Sequence, residues 1–155
     1  MPFQIHALPA DRFAHLSGLS EAALADLLIQ RCMVDKRPGF PCRVSLEDAW
    51  PGETVYLVNF THHDAATPFR ASHAIYVRAE AGTAEPAPGE VPEMIRQRII
   101  SLRAFDAAGM MVNADVADGE EVAARIEALF GDPPTDVIHL HFAKQGCFAA
   151  RVVRV

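Results

Sequence analysis

Lysine is nearly missing from this chain: of its 14 basic residues, 12 are arginine and 2 are lysine. Arginine excess has a compositional source in GC-rich coding sequence. Its chemical use is that guanidinium forks hold carboxylates or phosphates. There is one tryptophan, and the formal net charge is −6 over 155 residues. An acidic chain with no aromatic–basic stripe is not built to hold nucleic acid. No apolar run approaches the roughly 18 residues that cross a bilayer, so no membrane partner is expected. The N-terminus has no basic region followed by an apolar core, which predicts a cytoplasmic protein. Three cysteines, Cys32, Cys42 and Cys147, are too few and of the wrong parity for a disulfide framework. The chain has no CxxC, HExxH, GxGxxG, GxxxxGK or GxSxG. Zinc-ribbon, zincin, dinucleotide, P-loop and hydrolase-elbow readings therefore have no support. No cofactor is assigned, and the absence of a metal signature assigns no metal site.

What remains is an ordinary globular balance: 50% hydrophobic and 22% charged residues. The length fits a single domain spanning 1–155. Phe3 to Leu8 alternates as a strand. Ser20 has the chemistry of a helix N-cap, with Leu19 and Leu24 at hydrophobic-staple spacing. That helix is predicted to run to about Gln30, burying Leu24, Leu27 and Leu28. Asp35 to Val44 holds two prolines and a glycine and reads as a shaped loop. Trp50-Pro51-Gly52-Glu53 has the residues of a type II turn. Thr54 to Phe60 and His73 to Arg78 read as strands, joined by a polar loop carrying His62, His63, Asp64 and Arg70. Asp118 and Glu121 form a capping box for a helix ending at Phe130, before Gly131 and Pro133-Pro134.

Two hairpins follow from alternation. Ile100, Leu102 and Ala104 match Met110, Val112, Ala114 and Val116 across the connection Ala107-Ala108-Gly109. Ile138, Leu140 and Phe142 match Phe148, Ala150 and Val152 across Lys144-Gln145-Gly146. Strand side chains alternate faces, so an apolar face fixes the register. The opposite face then carries Arg103, Asp115, His139, His141, Cys147 and Arg151, with the helix at 120–130 behind. A crossover through that helix makes Met110–Val116 and Val137–Phe142 parallel near neighbours. The fold class is α+β: a mixed, mostly antiparallel sheet with two main helices, one packed on a sheet face.

The segments Lys36-Arg37-Pro38-Gly39-Phe40-Pro41-Cys42-Arg43-Val44-Ser45-Leu46, Asn59-Phe60-Thr61-His62, Pro68-Phe69-Arg70-Ala71-Ser72-His73, Ser101-Leu102-Arg103-Ala104-Phe105-Asp106, Gly109-Met110-Met111 and Gly146-Cys147-Phe148-Ala149-Ala150-Arg151 resemble the bacterial domain of unknown function 1203 family. The resemblance implies a small cytoplasmic bacterial protein. It carries no activity, cofactor or catalytic residue.

The residues themselves suggest two kinds of chemistry. Arg43, Arg70, Arg103 and Arg151, with Asp115 to balance them and His139 and His141 as adjustable donors, could hold a small anion. Alternatively, Cys42 or Cys147 with a histidine in reach could be a nucleophile–base pair, His62, His73, His139 and His141 being the candidates. Cys42 lies near Lys36, Arg37 and Arg43, and such cations favour a thiolate. The same histidines, with His63, Asp64, Cys42 and Cys147, have side chains of the types that bind metals. A third reading is a structural or interaction protein whose polar face is solvated sheet surface.

Overall fold

In a computed structural model, residues 2–155 are described. The chain is α+β, with eight strands in two sheets whose neighbouring strands are antiparallel. It falls into two compact units, each assembled from separated stretches of sequence.

Of the described residues, the first unit takes 2–6, 61–73 and 85–155. Its sheet is built from β1 (Phe3–His6), β5 (Ile99–Phe105), β6 (Met111–Asp118), β7 (Val137–Phe142) and β8 (Phe148–Arg154), in the order β1-β8-β7-β5-β6. The crossover does make β6 and β7 parallel to each other. They are not neighbours, because β5 lies between them and pairs antiparallel with both. The sheet is therefore antiparallel throughout and not mixed.

Partner residues across a ladder share a face. Leu102 stands opposite Leu140, Ile100 opposite Phe142 and Ala104 opposite Ile138. All six are buried. Helix α3 (Val122–Phe130) covers this face with Val122, Ile126, Leu129 and Phe130, an apolar stripe at helical spacing. The expected capping box does not form. Asp118 remains in β6 and its side chain makes no cap hydrogen bond, and a 3-10 turn over Gly119–Glu121 precedes the helix. The chain path there is set by packing: a Cβ at Gly119 would lie 2.2 Å from the carbonyl oxygen of Ile95 in α2 (Glu93–Arg96), so only glycine fits.

The second unit takes residues 7–60 and 74–84. It holds α1 (Glu21–Asp26), β2 (Gln30–Met33) and most of β3 (Thr54–His63) and β4 (Ala71–Arg78), which form a sheet in the order β2-β3-β4. Ser20 caps α1, its Oγ accepting from the Ala23 N–H at 3.1 Å. The helix is shorter than its leucines suggest. It ends at Asp26, Leu28 turns to φ 59°, and β2 begins at Gln30. Leu24 is buried, while Leu27 and Leu28 stand in solvent. The turn after Trp50 forms as expected, with Gly52 at φ 91° and the Glu53 N–H donating to the Trp50 carbonyl. Val34, Ala49 and Val55 make a small core, joined by Cys32, Phe40 and Tyr76.

Candidate functional site: a buried histidine cluster

His62 and His63 do not sit in a loop. β3 continues through both, and β4 starts at Ala71 and so includes His73. Thr61-His62-His63 and Ala71-Ser72-His73 thus enter the first unit as extended backbone, which aims each side chain. His139 and His141 stand two residues apart on β7 and share a face. The partners of that face are Ser101 opposite His141 and Arg103 opposite His139 on β5, and Arg151 opposite His139 on β8.

The face is not solvated. His139 is 3% exposed and His141 is completely buried. Five imidazoles converge here. The His62 ring stacks on His73 at 4.8 Å and meets His141 edge-on at 4.9 Å. His73 and His141 lie 5.3 Å apart, and His63 meets His139 at 5.4 Å. Two phenylalanines wall the cluster: Phe148 stacks on His62 at 5.1 Å, and Phe105 on His63 at 4.1 Å.

Hydrogen bonds define much of the proton inventory. His63 Nε2–H donates to the Gly109 carbonyl at 2.9 Å, and His141 Nδ1–H donates to the Gly146 carbonyl at 2.9 Å. His62 Nε2 faces His73 Nδ1 at 2.9 Å, and His62 Nδ1 faces His139 Nδ1 at 3.4 Å. His141 Nε2 is buried and has no partner.

Burial, with repulsion from His73, His63 and Arg103, pushes His62 down to about 4. Burial, then His62, His63, Arg151 and Arg103, takes His139 to about 3. Burial takes His141 to about 2 although its bond to Gly146 opposes the shift, and Arg103, His62 and His73 add repulsion. The three rings are neutral at physiological pH, with lone pairs available. Burial also lowers the pKa of Arg103. The Arg103 guanidinium has a long contact from Nε to Ser101 Oγ at 3.4 Å, and no carboxylate pairs with it among the described residues.

One member of the expected face is on the other side of the sheet, and another lies outside the strand. Asp115 stands opposite Leu102, on the helix side, and binds Arg125 of α3 at 3.1 Å. It does not balance Arg103. The hairpin loop is the expected Ala107-Ala108-Gly109, with Gly109 at φ 85°. Beyond it, however, a bulge leaves Val112 unpaired and reverses the parity of the rest of β6. In the other hairpin a bulge between Leu140 and His141 pairs His141 with Phe148. Phe148, expected behind the sheet, therefore joins the histidines. Cys147 lies outside β8, its carbonyl accepting from the Phe142 N–H across a longer loop than expected.

Arg70 reaches Asp64 and the Ala65 carbonyl and is largely exposed. Arg151 is exposed. In the second unit, Arg43 is buried and donates to the Pro41 carbonyl at 2.6 Å. Cys42 is fully buried, its Sγ accepting from the N–H groups of Arg78, Val44 and Ser45 at 3.2–3.4 Å. The Arg37 guanidinium lies over the Trp50 ring at 3.7 Å. Phe105 and Phe148, both core-like in the sequence, were not expected at the site. The aromatic spacing carried no mark to separate them from core residues.

A family model described as a protein of unknown function, DUF1203, matches residues 39–154. The chain belongs to that family. No curated protein and no solved structure matches it. Among the described residues, no helix is long and apolar enough to cross a membrane.

Proposed function

We propose that this protein binds a small anionic ligand at the histidine face of its five-stranded sheet, with Arg103 as the principal anchor. The observation that carries this reading is the partly buried guanidinium of Arg103, which has no carboxylate partner among the described residues. A desolvated cation without a counter-charge is costly, and an anion removes that cost. The displacement of Asp115 to Arg125 strengthens the argument, since the residue expected to neutralise Arg103 is engaged elsewhere. Arg151, on the same face and opposite His139, adds a second positive charge at the solvent side. Neutral imidazoles supply N–H donors or lone pairs according to tautomer, which suits carboxylate or phosphate oxygens.

Thermal melts in phosphate, sulfate and a small carboxylate, against chloride at matched ionic strength and with chelator present, test the reading. Ligand at a hundredfold excess over its Kd stabilises by about 2.7 kcal/mol. The increment should vanish in Arg103→Ala and shrink in Arg151→Ala. An increment that survives in Arg103→Ala is general salt exclusion, and the anion site is then wrong.

A further inference from the structure

The geometry points to a second property of the same sheet face: His62, His73 and His141 form a three-imidazole site for a divalent transition metal of the zinc class. This does not depend on the anion reading. One ring nitrogen from each of the three lies within 4.8 Å of the other two. They come from three strands, β3, β4 and β7, so no sequence motif of fixed spacing announces them.

The independent observation is His141. Its Nδ1–H is committed to the Gly146 carbonyl, which fixes the tautomer and leaves Nε2 unprotonated. That Nε2 is buried without a partner in a residue of zero exposure, beside the rings of His62 and His73. A buried lone pair with no donor is an unmet cost, and a metal ion meets it. A ring N–H held by a backbone carbonyl is also the usual support of a metal-ligating histidine.

The remaining protons fit the same arrangement. With His62 bound through Nε2, its proton resides on Nδ1 and is directed to His139 Nδ1, 3.4 Å away. His73 then binds through Nδ1, the atom already 2.9 Å from His62 Nε2, and carries its proton on Nε2. All three ligands stay neutral, so only tautomers change and no proton is lost. His139 becomes the support of His62, as Gly146 is of His141. Zinc takes nitrogens at about 2.0–2.1 Å, which sets them roughly 3.3 Å apart in a tetrahedral site. The His62 Nε2–His73 Nδ1 pair at 2.9 Å opens a little and the wider separations, within 4.8 Å, close, movements that rotation about the soft χ2 of histidine supplies. Three nitrogen ligands leave a fourth position open. Imidazoles without thiolates or carboxylates suit zinc, copper or nickel over magnesium or calcium.

The experiment uses the full chain, stripped with chelator and dialysed. Zn²⁺ is titrated against a chromophoric competitor, and Co²⁺ is added as a spectroscopic stand-in. The wild type should bind one equivalent, and Co²⁺ should give the visible absorption of a low-coordinate nitrogen site. His73→Gln and His62→Gln, at partly exposed rings, should lose both signals while retaining the wild-type circular dichroism. His139→Gln should weaken binding about 10–100-fold without removing the Co²⁺ band. His6→Ala and His15→Ala, at exposed histidines, should bind as the wild type does. Absence of one-equivalent binding in folded wild type overturns the site. So does undiminished binding in His73→Gln, or binding lost in His6→Ala or His15→Ala. Should His62→Gln not fold, His73→Gln and the Co²⁺ spectrum decide.

Discussion

The two hairpins of the five-stranded sheet are built alike and behave differently. Each is closed by a loop with a left-handed glycine, Gly109 at φ 85° and Gly146 at φ 79°. Each then carries one bulge. In the outer hairpin, β5–β6, the bulged strand is the sheet edge, and the parity change leaves Val116 59% exposed while Asp115 meets helix α3. In the inner hairpin, β7–β8, both strands have neighbours on each side, and the bulge brings Phe148 against the histidines at 2% exposure. An edge strand tolerates an apolar residue turned to solvent. An interior strand has no solvent to turn to, so its bulge has to create a second packed face. The histidine cluster occupies that face.

Acid is the harshest way to break the inner hairpin. An unfolded histidine titrates near 6.5. Folded His62, His139 and His141 titrate at about 4, 3 and 2. Between those limits the unfolded chain binds more protons, so stability rises with pH across the window and falls as pH drops from about 6.5. Above the carboxylate range, between about 6 and 4.5, the histidines dominate the slope. The urea midpoint of chelator-treated protein should fall steadily from pH 7 to pH 5. Amide exchange should quicken in β7 and β8 before β6 is affected beyond its edge-strand baseline. A midpoint independent of pH over that range would show that the rings are not buried neutral.

A smaller but more local perturbation compares one side chain from each bulged strand. Phe148→Ala should destabilise by about 3–5 kcal/mol, the range for removing a buried aromatic ring. Val116→Ala should stay within about 0.5 kcal/mol, because the side chain is exposed. Phe148→Leu adds a readout of direction. It should move the imidazole proton resonances of His62, His139 and His141, the rings Phe148 contacts. Shifts confined to the methyls of Ile126 and Leu129 would return Phe148 to the helix side.

These cases show which parts of the fold were legible from sequence. Alternation of Ile138, Leu140, Ala150 and Val152 gave the inner register correctly as far as Leu140, because burial on one face penalises any slip. Gly109 marked the outer turn for the same kind of reason: few residues accept a positive φ. Bulges have no such mark. Ala149 and Val112 are ordinary strand residues, and their unpaired state follows from neighbours distant in sequence. The helix from Ser20 was legible at its cap and not at its end, where Leu28 adopts a conformation leucine seldom takes. His139 and His141 were placed on one face correctly. Residue type grouped His62, His63 and His73 with them as possible ligands, but the strand geometry that brings the five rings together was not legible, because Thr61 to Ser72 is polar and reads as loop, while its ends continue β3 and β4. Cys42, flanked by cations in sequence, is interior in the fold, and the Arg37 and Arg43 side chains have other partners.

The smallest effect tests the outer bulge most directly. In an unbulged register Asp115 would be diagonal to Arg103 and would couple to it. In the observed register it faces Leu102 and reaches Arg125 at 3.1 Å, with both side chains partly exposed. Exposed ion pairs contribute about 0.2–1 kcal/mol. A double-mutant cycle on Asp115→Ala and Arg125→Ala should therefore return a coupling in that range that weakens with salt. The parallel cycle on Asp115→Ala and Arg103→Ala should return none within error. Distant, unshared sites add to within about 0.3–0.5 kcal/mol, so both cycles need replicate denaturation curves. Glu121 also lies 3.7 Å from Arg125. It is best held as Gln throughout, so that it does not take over the guanidinium when Asp115 is removed. Coupling to Arg103 instead of Arg125 would erase the bulge at Val112. It would also give Arg103 the counter-charge whose absence underlies the proposed anion site.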